Sequence, residues 1–289
     1  MSGFETGNDR NSLDVERFQS IILGYFRRHG RDFPWRETAD PYAILVSEIM
    51  LQQTQTSRVL PKYAEFLETF PTVTDLAAAS LADVLRHWQG LGYNRRAKYL
   101  KACAEAVAGE HNGEFPRTRD ALMKLPGIGV YTSGAMCAFA FRQPVVFIDT
   151  NIRRVYLHFY FVDADGVHDR EILPVLEETL FRPDPRTWYH ALMDYGAMLG
   201  KNFPNANRRS VHYTRQSAFE NSNRQIRGRI LNVLAQGPAP YLSLVEDLPF
   251  DEERVSDALE GLEAEGMIVR DASGVYLPGA VQPPGNGTD

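Results

Sequence analysis

The stretch Leu125-Pro126-Gly127-Ile128-Gly129-Val130-Tyr131-Thr132 joins two helix-like segments through a turn carrying two glycines spaced two apart. Such a turn bends sharply and leaves nothing between its N–H groups and an approaching anion. A helical pattern opens directly after it, so unpaired N–H groups and a positive dipole end face the same way. The pattern suits a phosphate-binding hairpin, and equally an ordinary helix–helix turn closed by glycine. A second turn, Gln89-Gly90-Leu91-Gly92-Tyr93, precedes the basic helix start Asn94-Arg95-Arg96. Two such turns in one helical body favour a clamp on a nucleic-acid backbone.

Outward from the hairpin, apolar residues recur at helical spacing up to about residue 220. Phe18, Ile21, Ile22 and Tyr25 mark a stripe over 14–27, and Asp40-Pro41 starts a helix through Gln52 with an aspartate cap. Further helices are expected over 61–69, 73–79, 81–88, 95–108, 118–123, 130–141, 150–159, 171–180 and 186–199. No alternating-strand pattern occurs there, so the body reads as all-α. Residues 201–223 lack periodicity and read as a basic loop that orders on contact. Helices over 224–234, 242–247 and 251–265, then strands 267–270 and 275–277 about a turn at 272–274, predict a small α+β winged-helix-like module. The ends, 1–12 and 279–289, read as disordered tails. Asp163-Ala164-Asp165-Gly166 starts like a calcium loop, but Pro174 stands at position twelve, so it reads as a turn.

Of the 289 residues, 44% are hydrophobic and 24% charged, which excludes a disordered or fibrous chain. No run approaches the ~18 apolar residues of a membrane span, and the polar opening MSGFETGNDRNS lacks a signal peptide's apolar core. Two cysteines, Cys103 and Cys137, exclude a disulfide framework and fit a cytoplasmic protein. The histidines show no metal-ligand spacing, so no metal site is expected. The net charge of −6 conceals an asymmetry. Residues 240–289 hold 11 acidic side chains against two basic, whereas residues 201–230 hold seven basic against one acidic. The basic segment is either a solvated face or a contact for polyanions. The acidity of the C-terminal module favours packing or protein contact over DNA.

Two carboxylates stand out as candidates for chemistry. Asp149 follows the apolar run Val145–Ile148 and either caps the next helix or stands at a site entrance, where it stabilises developing positive charge. Glu48 lies in Ser47-Glu48-Ile49-Met50-Leu51-Gln52-Gln53-Thr54. It is either a surface helix residue or a carboxyl at a half-buried edge, where desolvation suits a proton donor.

The combination SEIMLQQTQ, FPTVTDLAAAS, GLGYNRRAKYL, LPGIGVYTSGA and IDTNIRRV resembles the helix-hairpin-helix DNA glycosylases with a Gly/Pro-rich loop and a catalytic aspartate. Within that superfamily it is most similar to the MutY-type adenine glycosylases, over about residues 18–200. The resemblance implies a six-helix barrel over 34–143, and a second lobe from 13–33 and 144–200. It implies that Asp149 stabilises the oxocarbenium ion as the glycosidic bond breaks, and that Glu48 protonates the adenine ring. Gln52 and Gln53 would enter the duplex beside the flipped base, with Leu91, Gly92, Tyr93 and Arg95 also on DNA. Leu125, Gly127, Gly129 and Thr132 would grip phosphate, with a monovalent cation on the hairpin carbonyls. Tyr131 stands where bifunctional endonuclease III relatives place a Schiff-base lysine, so water is expected to complete the reaction, without lyase activity.

Two departures accompany the resemblance. Gly200 stands where the first cysteine of a four-cysteine iron–sulfur loop would be, and no cysteine follows, so no cluster is expected. Lys201, Arg208, Arg209 and Arg215 fill that place and are expected on phosphates. The C-terminal module, in turn, does not resemble the Nudix-like domain of adenine glycosylases that recognises 8-oxoguanine. The expectation is a monomeric repair glycosylase acting on duplex DNA, removing adenine opposite guanine or 8-oxoguanine. The alternatives are a thymine or uracil glycosylase acting opposite guanine, and a non-catalytic DNA-binding scaffold, to which Glu48 and Asp149 would be of no use.

Overall fold

The computed structural model describes residues 13–215 and 218–279. The expected tails 1–12 and 279–289 lie outside the described residues, save for Gly279. Fifteen α-helices occur among the described residues. The first eight are α1 (Val15–His29), α2 (Pro34–Glu37), α3 (Pro41–Leu51), α4 (Thr56–Thr69), α5 (Val73–Ala78), α6 (Leu81–Trp88), α7 (Arg95–Glu110) and α8 (Arg119–Leu122). Then come α9 (Val130–Phe139), α10 (Thr150–Phe159), α11 (Asp169–Thr179) and α12 (Pro185–Asn202). The last three are α13 (Asn223–Gln236), α14 (Tyr241–Asp247) and α15 (Glu252–Ala264), followed by strands β1 (Val269–Asp271) and β2 (Gly274–Tyr276). The all-α body and the small α+β module are both present. No helix among the described residues is long and apolar enough to cross a membrane.

Two compact units emerge. One comprises 13–44, 117–120 and 129–215; the other comprises 45–116, 121–128 and 218–279. In the first, α12 packs against α1, α9 and α10. Phe18 of α1 sits at the centre of an aromatic cluster, with the Tyr156, Tyr160 and Trp188 rings at 5.6, 5.2 and 5.7 Å in edge-on geometry. Asp194, buried on α12, accepts bonds from the Arg31 backbone and side chain and from both arms of Arg36. That pairing satisfies a carboxylate which burial alone would make costly. In the second unit, α5 and α6 pack against α7, and α13 packs against α6 and α15. Thr72 and Asp75 form a capping box at α5, and Ser80 caps α6.

Three expectations are corrected. Helix α4 starts at Thr56 rather than Pro61, because a proline within the helix costs one backbone bond that the surrounding turns outweigh. The hairpin pairs Val269 with Tyr276 and Asp271 with Gly274, while Met267 and Ile268 turn into the core. Residues 201–215 are not a loop awaiting a ligand. Helix α12 runs to Asn202, a 3₁₀ turn covers Ala206–Arg209, and Val167 exchanges backbone bonds with Arg209 and Val211.

Candidate active site and nucleic-acid interface

Asp149 has extended backbone and is the N-cap of α10, its Oδ1 accepting from the Ile152 N–H at 2.6 Å. The capping reading holds, and it fixes the carboxylate at a positive helix end. Burial holds its carboxyl above the ordinary value, opposed by the Ile152 and Asn151 N–H groups and by Arg153 and Arg154. Both arginines are themselves anchored. Arg153 grips Asp169 at 2.6 and 2.7 Å, and Arg154 donates to Asn151 Oδ1 at 2.9 Å and to the Gly196 carbonyl at 2.7 Å. Asn207 ties the 3₁₀ turn to the same helix end through the Thr150 carbonyl at 3.0 Å. Tyr131 is half-buried, edge-on to Phe147 at 5.7 Å. Thr132 is buried, so its side chain offers no DNA contact.

Glu48 is 6% exposed, deeper than the half-buried edge expected, among buried Leu45, Val46, Ile49 and Met50. Helix α3 ends in a turn where Gln53 adopts φ +54, a left-handed conformation costly for a side chain. Arg96 sustains that turn, donating to the carbonyls of Ile49, Met50 and Gln52 at 2.8, 2.9 and 2.6 Å. Its other arm reaches Thr54 Oγ1 and the Leu91 and Gly92 carbonyls at 3.0, 3.1 and 2.9 Å. Burial lowers its pKa to about 10. Arg96 was visible only as part of a basic helix start, and its carbonyl-binding role depends on the spatial meeting of two turns.

Leu91 is buried, so it serves the core and lends DNA no side chain, while Gly92 (φ +72) and Tyr93 (φ +49) carry the turn. Arg95 is exposed and pairs with Glu265 at 2.5 Å. In the hairpin, the Ile128 N–H closes on the Leu125 carbonyl at 3.2 Å, and both side chains are buried. The Leu125 side chain therefore anchors the turn. Gly127 (φ +74) faces Tyr99, whose Cβ lies 2.6 Å from where a side chain would begin. Gly129 is extended at the start of α9 with open space around its Cα, which bares the helix N–H groups.

Within the second unit, Gln52, Gln53, Tyr93 and Arg95 line one cavity of about 540 Å³. Arg96, Tyr99, Arg224, Arg227 and Glu265 share it, and of these only the arginines carried a sequence signal, as members of basic runs. In the first unit, Lys201, Arg208 and Arg215 are exposed. Arg209 is corrected: its guanidinium closes on the Val162 and Leu157 carbonyls and so braces the fold. The residues do not fit the iron–sulfur cluster of the wider branch. Both cysteines are buried, Cys103 in α7 and Cys137 in α9, and burial raises both thiols, Cys103 to about 12. A Cβ on Gly200 would lie 2.7 Å from the Arg154 guanidinium, which fills the space beside it. Among the described residues no cluster of metal-ligating side chains occurs.

Residues 46–178 match the model of the HhH-GPD superfamily base excision DNA repair proteins. The adenine DNA glycosylase of Mycobacterium tuberculosis is 37% identical over 281 residues, covering 89% of this chain and 92% of that protein. The adenine DNA glycosylase of Mycolicibacterium smegmatis is 35% identical, covering 88% and 94%. Among solved structures, a thermostable thymine-DNA glycosylase is 30% identical with a TM-score of 0.59, covering 64% of this chain and 86% of that one. By that kinship, which runs almost from end to end, the chain belongs to the HhH-GPD superfamily of base-excision DNA repair proteins, in its MutY-type adenine DNA glycosylase branch.

Proposed function

We propose that this protein is a monofunctional DNA glycosylase that removes adenine mispaired with guanine or 8-oxoguanine in duplex DNA. The observation that carries the reading is the kinship to adenine DNA glycosylases over 89% of the chain, in which Glu48 and Asp149 are both present. The base is flipped from the stack at a cost of roughly a few kcal/mol. Glu48, withdrawn from bulk water on α3, donates a proton to the adenine ring. The C–N glycosidic bond breaks with its electron pair leaving on adenine. Asp149, held at the N-terminus of α10, stabilises the positive charge left on the deoxyribose. Water adds to the sugar carbon, loses a proton and yields an abasic site. Tyr131 has no amine for a Schiff base, so the sugar stays intact.

A second reading, removal of thymine or uracil opposite guanine, is favoured by the 30% identity to a thymine-DNA glycosylase. Duplexes carrying A opposite G, A opposite 8-oxoguanine, T opposite G and U opposite G decide between them. Strand breaks are expected on the adenine duplexes and only after hot alkali; breaks without alkali, or a borohydride-trapped adduct, would refute a monofunctional reaction. Glu48→Gln should slow adenine release by about 10²-fold or more. It should matter less for thymine or uracil, whose anions leave more readily. Full adenine activity in Glu48→Gln would remove it as the acid.

A further inference from the structure

The acidic C-terminal module brings two arginines of α13 into the cavity that holds the Gln52–Gln53 turn. Arg224 lies with its guanidinium 5.1 Å from the Tyr93 ring centre and donates to the Tyr93 hydroxyl. Exposed Phe219 flanks its other side at 6.0 Å, and Arg96 sits 5.6 Å from the same Tyr93 ring. Arg227 and Arg95 each meet the carboxylate of Glu265 at 2.5 Å, and Lys98 donates to the Glu265 backbone carbonyl. The hydrogen bond from Arg95 is the chief influence holding the Glu265 carboxyl below its ordinary value. Of the module's many acidic residues, only Glu265 lines this space, against four arginines.

We infer that the C-terminal module joins the DNA interface through Arg224 and Arg227, which enter the cavity where the resemblance already implies DNA contacts by Gln52, Gln53, Tyr93 and Arg95. Arg224 is held at the hydroxyl end of Tyr93, and a DNA phosphate displaces the Glu265 carboxylate from Arg95 and Arg227. This inference rests on the proposed action on duplex DNA. A volume of about 540 Å³ lies within the range of small-ligand pockets. Two neighbouring backbone positions, Gln53 and Tyr93, sit in the left-handed region, as strained residues at binding sites often do. Tyr99, half exposed, lines the cavity and also supports Gly127, so the phosphate-type hairpin and the cavity share a wall. Glu265 spans two guanidinium groups much as two oxygens of one phosphate would, which makes it an exchangeable occupant of an anion site.

The test uses the full-length protein and a duplex carrying a non-hydrolysable adenine analogue opposite 8-oxoguanine, with Kd followed from about 50 to about 300 mM salt. Arg224→Ala/Arg227→Ala should weaken binding by about tenfold or more and lower the salt slope by about 0.9 for each phosphate left unpaired. Glu265→Gln should act in the opposite direction, tightening binding several-fold by removing the competing carboxylate. Unfolding could not produce that gain. Unchanged affinity and slope in a folded double variant, or weaker or equal binding by Glu265→Gln, would overturn the site. Excision by the wild type is measured in parallel. Arginine-dependent binding without adenine release would sink the proposed reaction and sustain the site, whereas adenine release with arginine-independent binding would do the reverse.

Discussion

Asp149 caps α10, and the proposed reaction would place a second demand on the same carboxylate. As an N-cap it needs a short side chain accepting an N–H, and as a stabiliser of positive charge it needs to be ionised while shielded from water. Burial raises its pKa from the ordinary 3.8, so the ionised form is less stable in the folded protein than in the unfolded chain. The folded state then holds this proton more tightly, and stability attributable to the group is full below pH 3.8 and lost as pH rises through the folded value. Asp149→Asn keeps the cap and removes the charge. Its melting temperature should equal or exceed that of the wild type at about pH 7, with the difference shrinking toward zero near pH 4. Turnover should fall about 10²- to 10³-fold while duplex binding persists. A variant destabilised at neutral pH but not in mild acid would contradict this sign.

At the scale of elements, α12 decides where α10 begins. Gly196 admits the Asn151 backbone so closely that a Cβ would lie 2.3 Å from the Asn151 carbonyl oxygen. At Gly200 the obstacle is instead the end of the Arg154 side chain, 2.7 Å away. Backbone cannot yield as a side chain can, so the two alanine substitutions should differ. Overpacking costs roughly 1–3 kcal/mol, and Gly→Ala within a helix returns about 1 kcal/mol. Gly196→Ala should therefore destabilise by about 2 kcal/mol and depress activity by moving the cap of α10. Gly200→Ala should cost less, about 1 kcal/mol, because Arg154 yields only by loosening its bonds to Asn151 and the Gly196 carbonyl. Urea titrations of both variants check the contrast, and equal destabilisation would show that helix spacing does not govern it.

On the scale of the whole chain, charge is sorted by what each residue is bonded to and not by where runs of it occur. Arg209 and Arg96 are spent on carbonyls, Arg95 and Arg227 share the Glu265 carboxylate that the inferred phosphate would displace, and Lys201, Arg208 and Arg215 remain exposed. Neutralising Lys201, Arg208 and Arg215 together should weaken binding similarly on matched and mispaired duplexes. The salt slope should shrink by about 0.9 for each phosphate that these side chains neutralise. Arg209→Ala should instead lower the melting temperature, because the Val162 and Leu157 carbonyls would be left without their donor. A salt slope unchanged in the triple variant would mean that this segment merely faces solvent.

The helical body, the module at its end, the hairpin and the two carboxylates are all legible in the order of residues, because each is written in local terms. Apolar spacing, caps such as Asp149 and Ser80, and the Gly127–Gly129 pair act within a few residues of themselves. Kinship of motifs then named the chemistry. The neighbours that those residues acquire are settled by folding alone. Leu91, Leu125 and Thr132 sit inside motifs that suggest contact, yet burial assigns them to the core. Arg209 reads as a phosphate ligand, yet two backbone carbonyls hold it. Arg224 meets Tyr93 across 131 residues of chain. Long-range pairings of this kind have no periodicity to betray them, since they arise where elements packed for apolar burial leave polar groups to find partners among whatever lies nearby.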